Sequence, residues 1–537
     1  MSNMAGFKWL EDALKISPVQ PFIVVSRFGS ARKTVESADG SRIETYPHAM
    51  RPEPTVDAHL AFAFRYEPIH LEFLARLLVQ IDPAIIEAWV AREPTGQYAR
   101  RAGFWFEWLT GQRLAADDVS AGNYVDALDP AKYLVASRAV NSQRWRVRDN
   151  LPGTREFCPI VMRTELVQKH EQYDCARALS DLEVQFGAEL LQRSAVWLTI
   201  KESRASFLIE KEERKVDRVR RFALAMERRC GIGDDPLELA SLTELQTEIL
   251  GPATRYGLRK SPVFVGHNDG FVSVVDYIAP HWDHAPVLLN GLARCMERTK
   301  HQPALVRAAV VSFGFVYIHP MADGNGRISR FLVNDVLRRD GAVPAPFILP
   351  ISTTITHGTK ERAGYDHALE LLSKPLMHRF ADHYEFGAEV ECEDGIRTNF
   401  HFNAYDEALP VWRYPDLTRQ VEYLGDVVRN TIEREMTNEA RYLRNLEQAR
   451  EAVKNHLEGP NSDIDQIIRS LCTNQYRVSG SLLKRFPQFE EQALADAIIG
   501  DLHAIFKSTP AHEPPQDHAE QFTTLTLPHC HIVAESG

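Results

Sequence analysis

The segment from residue 319 to residue 330, HPMADGNGRISR, combines a titratable base, a carboxylate, two glycines and two arginines in one short stretch. Gly324 and Gly326 tolerate backbone angles that other residues avoid, so successive backbone N–H groups can form a concave anion site there. The partial positive charge at the start of a following helix would reinforce such a site. This segment therefore has the features of a site that binds phosphate groups.

The charged residues of the segment supply the remaining parts of a phosphate-transfer site. Arg327 and Arg330 lie three positions apart, so on a helix both side chains can point to one side and bind phosphate oxygens. Asp323 provides a carboxylate beside the anion site, which is the arrangement that Mg²⁺ needs to bridge protein and phosphate. His319 provides a base at the mouth of the loop. Together these residues indicate phosphoryl or nucleotidyl transfer.

Other interpretations of this segment explain fewer of its residues. The chain contains no GxxxxGK[ST] sequence, and Gly324-Asn325-Gly326 lacks both the third glycine and the preceding strand of a dinucleotide-binding fingerprint. A glycine-rich helix connection with surface arginines would account for any one of the residues alone. It does not account for all of them at this spacing.

The flanking sequence predicts that two helices position this loop. Upstream, Pro303 suits a first helical turn, and apolar residues then recur at helical spacing up to Tyr317. Pro320 disfavours helix for the residue before it, so the first helix should end near His319. Apolar residues resume at helical spacing from Ile328. We therefore expect a helix, a tight loop and a second helix.

Residues 319–330 resemble the signature of the Fic family, HPFx[DE]GNGRxxR, with Met321 in place of the usual Phe. Members of this family mostly transfer AMP from ATP onto hydroxyl side chains of proteins. The resemblance implies that His319 is the general base and that Asp323 holds Mg²⁺. It also implies that ATP is bound by the loop and the following helix. Asn325 and Gly326 would bind the α/β-phosphates, Arg327 would contact the β-phosphate side and Arg330 the γ-phosphate. Gly324 is a further nucleotide-binding residue by resemblance, and it favours AMP transfer.

A predicted β-hairpin upstream of the loop extends the resemblance. Residues 261–280 have strand character on both sides of a turn, His267-Asn268-Asp269-Gly270. They resemble the flap of the Fic family, which aligns a segment of the target protein by strand addition. The resemblance implies that the target is aligned by the start of this hairpin, at Val263, Phe264, Val265 and Gly266.

A third segment resembles the inhibitory motif of the family, [ST]xxxE[GN]. Residues 203–211, SRASFLIEK, match it at Ser206 and Glu210, although a lysine follows the glutamate. The resemblance implies that Glu210, on a helix from about 196 to 214, pairs with Arg330 and occupies the place of the γ-phosphate. The residues alone leave open an ordinary charged helix face, because further charged residues follow at once.

The length and the local composition predict several domains in a mainly α-helical chain. At roughly 150 residues per domain, 537 residues correspond to about three or four domains. We expect a Fic helical core with a β-hairpin flap, a small α+β N-terminal domain and a helical C-terminal domain. The predicted divisions are an N-terminal domain of unassigned role at 1–155, the Fic domain at 156–395, the helical domain at 396–507 and a disordered tail at 508–537.

Charge and cysteine usage narrow the classes of partner. The net charge is 62 − 73 = −11, which does not favour a protein that coats nucleic acid. Seven cysteines without a CxxC pair are typical of reduced cytosolic thiols. No apolar stretch approaches the roughly 18 residues of a membrane span. We therefore expect a cytoplasmic protein that does not span a membrane.

The predicted function is transfer of AMP from MgATP to a Tyr, Ser or Thr hydroxyl of a target protein, which can include the enzyme itself. An intramolecular glutamate is expected to restrain this activity. Within the same class, transfer of UMP or another phosphate-linked group stays open, as does removal of AMP with Glu210 orienting water. From another class, a helix-turn-helix within residues 462–507 could make the chain a DNA-binding regulator. An oligomeric assembly is open as well.

Overall fold

The computed structural model describes residues 3–38, 40–212, 216–251, 257–269 and 272–507. Most of the described residues lie in α-helices, and the strands are short and form small sheets. This confirms the predicted mainly α-helical class. Within the described part of the chain, none of the helices combines the length and the apolar character that crossing a bilayer requires.

The N-terminal part combines helices with two small three-stranded sheets. In the first sheet the central strand β3 pairs parallel with β1 and antiparallel with β2. Trp89, Trp105 and Trp145 are fully buried in the core of this part. Its elements are α1 (Gly6–Leu14), β1 (Val24–Gly29), β2 (Lys33–Glu36), β3 (Arg42–Pro47), α2 (Val56–Tyr66), α3 (Leu71–Gln80), α4 (Pro83–Arg92), α5 (Gln97–Thr110), β4 (Val125–Asp126), β5 (Val140–Ser142) and β6 (Val147–Asp149).

The central part is a set of helices around one almost completely buried helix, α12, together with one antiparallel hairpin. Its elements are α6 (Glu165–Glu171), α7 (Cys175–Phe186), α8 (Ala188–Ile209), α9 (Val216–Arg229), α10 (Leu239–Leu250), β7 (Phe264–Asp269), β8 (Val272–Ile278), α11 (Ala285–Arg298), α12 (Ala304–Ile318), α13 (Asn325–Arg339), α14 (Ile351–Thr356) and α15 (Thr359–Phe380). Because α12 carries apolar residues on nearly every side, it packs inside the helical set, and this fixes the position of the loop at its end.

The C-terminal part begins with a second antiparallel hairpin and continues as helices. Its elements are β9 (Tyr384–Glu391), β10 (Arg397–Phe402), α16 (Tyr405–Arg413), α17 (Thr418–Asn430), α18 (Thr437–Lys454), α19 (Asn461–Thr473), α20 (Gly480–Arg485) and α21 (Gln492–Phe506). A π-helical turn, Thr431–Met436, joins α17 to α18.

Core packing relates these helices to the predicted domain limits. Buried apolar residues from Phe400 to Ala440 belong to the same core as α12 and α13, except Tyr414, which packs in the N-terminal core, and those from Ala449 to Leu502 form a separate core. The division at residue 396 stays a prediction, and the packing places β10, α16 and α17 with the central part. The predicted disordered tail, 508–537, lies outside the described residues.

Candidate active site

The loop with the predicted chemistry connects α12 to α13, as the helical periodicity indicates. The helix α12 ends at Ile318, and His319 adopts a left-handed backbone conformation with φ of 49°. Gly324 is also left-handed, with φ of 83°, and caps the start of α13. A glycine takes this conformation without steric penalty, so the chain can enter α13 directly from the turn.

Asn325 and Met321 hold the shape of the loop. The Oδ1 of Asn325 accepts a hydrogen bond from the backbone N–H of Met321 at 2.9 Å, and its Nδ2 donates to the carbonyl oxygen of Met321 at 2.8 Å. The Met321 side chain is completely buried, so it fills the position of the usual Phe. Because the amide of Asn325 is used within the loop, its backbone N–H is the group that can meet a phosphate.

The first turn of α13 presents the predicted anion site. The first hydrogen bond of this helix runs from the N–H of Ile328 to the carbonyl of Gly324 at 2.9 Å, so the N–H groups of residues 325–327 precede it. A Cβ atom placed on Gly326 would lie 2.3 Å from Oε1 of Glu210. The Glu210 carboxylate therefore lies directly against the backbone where a phosphate would approach.

Arg330 joins the end of α8 to this site. Its Nε donates to the Ser206 hydroxyl at 2.8 Å, and its Nη2 donates to the Ser206 carbonyl at 3.0 Å and to Glu210 Oε1 at 2.7 Å. Burial disfavours the charged form of Glu210, but the guanidinium of Arg330 outweighs burial and holds the pKa of this carboxyl below its ordinary value. The predicted pairing of Glu210 with Arg330 is thus present in the structure.

Arg327 makes a second ion pair, with Glu212 just after the end of α8. The sequence did not predict this pair. Its Nη1 donates to Glu212 Oε2 at 2.5 Å, and its Nη2 donates to Asp323 Oδ1 at 3.0 Å. The guanidinium also lies over the ring of Phe207, 5.0 Å from the centroid. The helix expected to run to about residue 214 in fact ends at Ile209, and this earlier end lets the chain turn Glu212 towards the loop.

The position of α8 is also fixed by buried polar contacts to neighbouring helices. The carboxylate of Glu202, two turns before Glu210, accepts hydrogen bonds from the backbone N–H of Ser352 in α14 at 2.6 Å and from its hydroxyl at 2.5 Å. Lys201 pairs with Glu439 of α18. These contacts tie α8 to α14 and α18 close to the end of α8 that meets Arg330.

Asp323 fits the predicted role of a magnesium ligand as a single carboxylate. Its side chain is 42% exposed, and Oδ1 accepts hydrogen bonds from the N–H of Gly324 at 2.6 Å and from Arg327. The described residues contain no cluster of three or more His, Cys, Asp and Glu side chains suited to a metal. Mg²⁺ commonly takes one or two carboxylates and completes its coordination with substrate phosphates and water, so one exposed carboxylate is compatible with it.

His319 has the geometry of a neutral base. Its Nδ1 lies 3.3 Å from the carbonyl oxygen of Val316, which can only accept a hydrogen bond, so the ring proton is on Nδ1 and the lone pair is on Nε2. Burial, together with the positive charge of Arg259, lowers the pKa of His319 to about 4. The imidazole is therefore uncharged and able to accept a proton near neutral pH.

The predicted flap is the hairpin formed by β7 and β8. Among the described residues β7 pairs with β8 alone, so its other edge is open. Val263 and Phe264 are partly buried against the core, whereas Val265 and Gly266 are exposed. Of the predicted turn, His267-Asn268-Asp269 belong to β7, and Gly270 lies outside the described residues. The base of the flap is joined to the loop by an antiparallel bridge between Leu258 and Met321.

The second hairpin, β9 and β10, lies beside the flap and was not predicted from the sequence. The ring of Phe264 lies 5.5 Å from that of Phe386 and 4.6 Å from that of Phe400, measured between centroids. The turn of this hairpin reaches back to the flap base, where the N–H of Lys260 donates to Asp394 at 3.2 Å. The Asp394-Gly395 pair between two β-rich stretches was the available sequence signal.

Comparison with known proteins agrees with this geometry. Residues 236–337 match the model of the Fic/DOC family. The protein adenylyltransferase fic-1 of Caenorhabditis elegans is 28% identical over 159 residues, which cover 28% of this chain and 28% of the relative. The protein adenylyltransferase Fic of Drosophila mojavensis is 29% identical over 157 residues, covering 27% of each chain. The chain thus spans only about a quarter of the length of these curated relatives.

Two solved structures are also similar in part. A Fic family protein from Desulfovibrio desulfuricans G20 has a TM-score of 0.37 and 18% identity, and the similarity covers 58% of this chain and 87% of that one. A Fic domain containing signaling protein from Bacteroides thetaiotaomicron has a TM-score of 0.32 and 17% identity, covering 50% and 98%. The match of residues 236–337 to the Fic/DOC family model confirms the family resemblance predicted from the loop.

Proposed function

We propose that this protein is a protein adenylyltransferase that transfers AMP from ATP to a hydroxyl side chain of a target protein. The observation that carries this proposal is a neutral histidine, His319, at the end of α12 and before the first-turn N–H groups of α13; its ring proton is on Nδ1, which leaves the lone pair of Nε2 to accept a proton. The similarity of the central domain to proteins named protein adenylyltransferase supports AMP as the transferred group.

In the proposed reaction, Nε2 of His319 accepts the proton of the target hydroxyl as its oxygen attacks the α-phosphorus. A new bond forms between that oxygen and the α-phosphorus, and the bond from the α-phosphorus to the bridging oxygen of the β-phosphate breaks. The products are the AMP-modified protein and pyrophosphate. The N–H groups of residues 325–327 stabilise negative charge that develops on the phosphates, because they are fixed in place before the reaction begins.

Two further groups would complete the phosphate site. The guanidinium groups of Arg327 and Arg330 would bind the β- and γ-phosphates after exchanging their present carboxylate partners for phosphate oxygens. Asp323 is the residue that would hold Mg²⁺, and the ion would offset negative charge on the phosphates. The partial exposure of Asp323 supports this assignment, since its carboxylate is accessible from the loop mouth.

We also propose that the structure represents an inhibited state. Glu210 lies against Gly326 and binds Arg330, so it occupies space and a cation that a γ-phosphate would need. ATP bound beside this carboxylate would meet a like charge, which disfavours the productive position of its phosphates. Removing the Glu210 carboxylate should therefore increase AMP transfer.

The target of the reaction is proposed to be an extended segment that carries a Tyr, Ser or Thr hydroxyl. The open edge of β7 can add such a segment through backbone hydrogen bonds, which accept varied side chains.

The six cysteines among the described residues are free thiols, which supports a reducing compartment such as the cytoplasm.

The test uses the full chain and its Glu210→Gly variant with ATP labelled on either the α- or the γ-phosphate. AMP transfer predicts that Glu210→Gly incorporates the α-label into protein in the presence of Mg²⁺ and does not incorporate the γ-label. Incorporation of the γ-label would instead indicate phosphorylation, and no incorporation of either would contradict the proposed function. Unlabelled UTP added to the same assay distinguishes transfer of UMP, because it would then compete with labelled ATP. Release of AMP from protein that is already modified would identify AMP removal.

A further inference from the structure

Arg259 is a buried arginine immediately before the flap. The residue is 2% exposed. Among the described residues, the side-chain hydrogen bonds of Arg259 all go to main-chain carbonyl oxygens and none to a carboxylate. A buried guanidinium without an anionic partner is costly, and it is retained only where fixed acceptors satisfy its donors.

The acceptors of Arg259 belong to the catalytic turn and to both ends of the flap. Its Nε donates to the carbonyl of His319 at 2.7 Å. Its Nη1 donates to the carbonyl of Ser261 at 3.3 Å, and its Nη2 donates to that of Pro280. Ser261 precedes β7 and Pro280 follows β8, so one guanidinium connects both stems of the flap with the backbone of the base.

The contact at His319 matters because this residue has an unusual backbone. A non-glycine residue in the left-handed region is strained and persists only where its surroundings hold it. The Arg259 side chain fixes the carbonyl of His319, and the backbone N–H of Arg259 donates to the next carbonyl, that of Pro320, at 3.1 Å. Both peptide groups of the turn are thereby held by the same residue.

We propose that Arg259 is a positioning residue that fixes the imidazole of His319 relative to the flap. A target segment aligned on β7 then presents its hydroxyl at a constant distance from Nε2. Proton transfer requires this distance to be short and reproducible, and a displacement of about 1 Å can slow such a reaction by about 100-fold. The catalytic consequence rests on the proposed function, whereas the connection between flap and turn can be tested without it.

Two substitutions and one control separate positioning from general packing. Arg259→Lys keeps the positive charge, but one ammonium group cannot reach three carbonyls in different directions. Arg259→Met keeps the approximate length and removes the charge and every donor. The control is Arg307→Met in α12, because Arg307 is also buried, at 3% exposure, and also donates to a main-chain carbonyl, that of Met296; unlike Arg259, it also pairs with a carboxylate, that of Asp340.

The first measurement is hydrogen exchange of the full chain, read by mass spectrometry. In both Arg259 variants we expect peptides covering the flap, 261–280, and the turn, 316–322, to exchange about tenfold faster or more. The Arg307→Met variant should leave these peptides at the rate of the unchanged protein. Unchanged exchange at the flap and the turn in Arg259→Lys would overturn the proposal. If Arg259→Met does not fold, Arg259→Lys alone decides this measurement.

The second measurement is steady-state AMP transfer in the Glu210→Gly background. We expect both Arg259 variants to lower kcat about tenfold or more and to leave KM for ATP within about twofold, because Arg259 does not contact the phosphate site. A retained kcat, or a rise in KM for ATP alone, would overturn the positioning role. If Glu210→Gly itself transfers no AMP, the proposed function fails, and the exchange measurement still decides whether Arg259 holds the flap to the turn.

Discussion

The two sides of the loop between α12 and α13 are held by different kinds of contact. On the side of α8, Arg327 and Arg330 bind the carboxylates of Glu212 and Glu210, whose side chains are 23% and 35% exposed. On the side of the flap, the hydrogen bonds that the Arg259 side chain makes with the described residues all go to main-chain carbonyls, and Arg259 is almost fully buried. A phosphate can replace a carboxylate because both are anions that accept several hydrogen bonds, but it cannot replace a carbonyl that belongs to the fold.

This difference separates what should change during the reaction from what should stay. On the α8 side, the two arginines can exchange a carboxylate for a phosphate, so these contacts suit a site in which the substrate displaces the carboxylates. The contacts on the flap side have no such competitor, so they suit a fixed frame.

The largest effect is expected from the base. In the Glu210→Gly background, His319→Ala should lower AMP transfer by about 100-fold to 10,000-fold, because no other group takes the proton. The measurement is incorporation of α-labelled ATP into protein. Circular dichroism and the melting temperature should show that the fold survives. Labelling at an undiminished rate would exclude His319 as the base.

The next largest effect is expected from removal of the Glu210 carboxylate, which pairs with Arg330 on the α8 side of the loop. Glu210→Gly should increase self-labelling about tenfold or more, because the carboxylate no longer competes with ATP for Arg330 and for the first turn of α13. A tenfold increase corresponds to a free-energy difference of about 1.4 kcal/mol. Glu210→Gln, which keeps the size but not the charge, should give an intermediate increase. Glu189→Gln, at the exposed start of α8, is the matched control and should have no effect. A labelling rate equal to that of the unchanged chain would contradict the inhibitory role of Glu210.

A smaller effect is expected at the second ion pair. Glu212→Gln should strengthen ATP binding by about two- to fivefold, because it removes one competitor for Arg327 but leaves Glu210 in place. The measurement is isothermal titration with ATP and Mg²⁺. Glu244→Gln, which weakens an exposed pair with Arg229 away from the loop, is the control. If ATP affinity is the same in both variants, Glu212 has no part in occupying the phosphate site.

The smallest effect concerns pH. The lowered pKa of His319, about 4, means that the base is already deprotonated at pH 6 and that its availability is constant above this value. Single-turnover AMP transfer by Glu210→Gly should therefore change by less than about twofold between pH 6 and 8, and should fall only as the pH approaches 4 and the imidazole gains a proton. An inflection near pH 6.5 that disappears in His319→Ala would show that the base titrates at its ordinary value.

The sequence was sufficient for much of this site because its signals are local. Pro320 and the spacing of apolar residues placed the end of α12 at His319, and the two glycines marked the start of α13. The Ser206 and Glu210 pattern led to the contact with Arg330, although its inhibitory role is still a prediction. The first two features depend on residues close together in the chain, whereas the pairing of Glu210 with Arg330, 120 residues away, was implied by the family resemblance.

Other features could not be predicted, for physical reasons. The partner of Glu212 depends on where α8 ends, and the boundary of a helix among many charged residues has no strong signal. The contacts of Arg259 are with backbone carbonyls. Because every residue carries a backbone carbonyl, the residue types in the sequence do not indicate which ones Arg259 contacts. The β9–β10 hairpin was missed because β9 is exposed along nearly its whole length, and it therefore lacks the buried alternation by which strands are usually identified.

The close contact between Glu210 and Gly326 has a consequence for how this protein could be switched on. In the proposed inhibition, the Glu210 carboxylate and a bound phosphate would use the same surface, the bare Cα of Gly326, and no methyl group fits between Glu210 and that Cα. A side chain introduced at Gly326 would therefore displace Glu210 and obstruct the phosphate in the same step. Faster AMP transfer with an intact phosphate site requires the Glu210 carboxylate to be removed, as in Glu210→Gly, or displaced with the end of α8, and it cannot come from a substitution at Gly326.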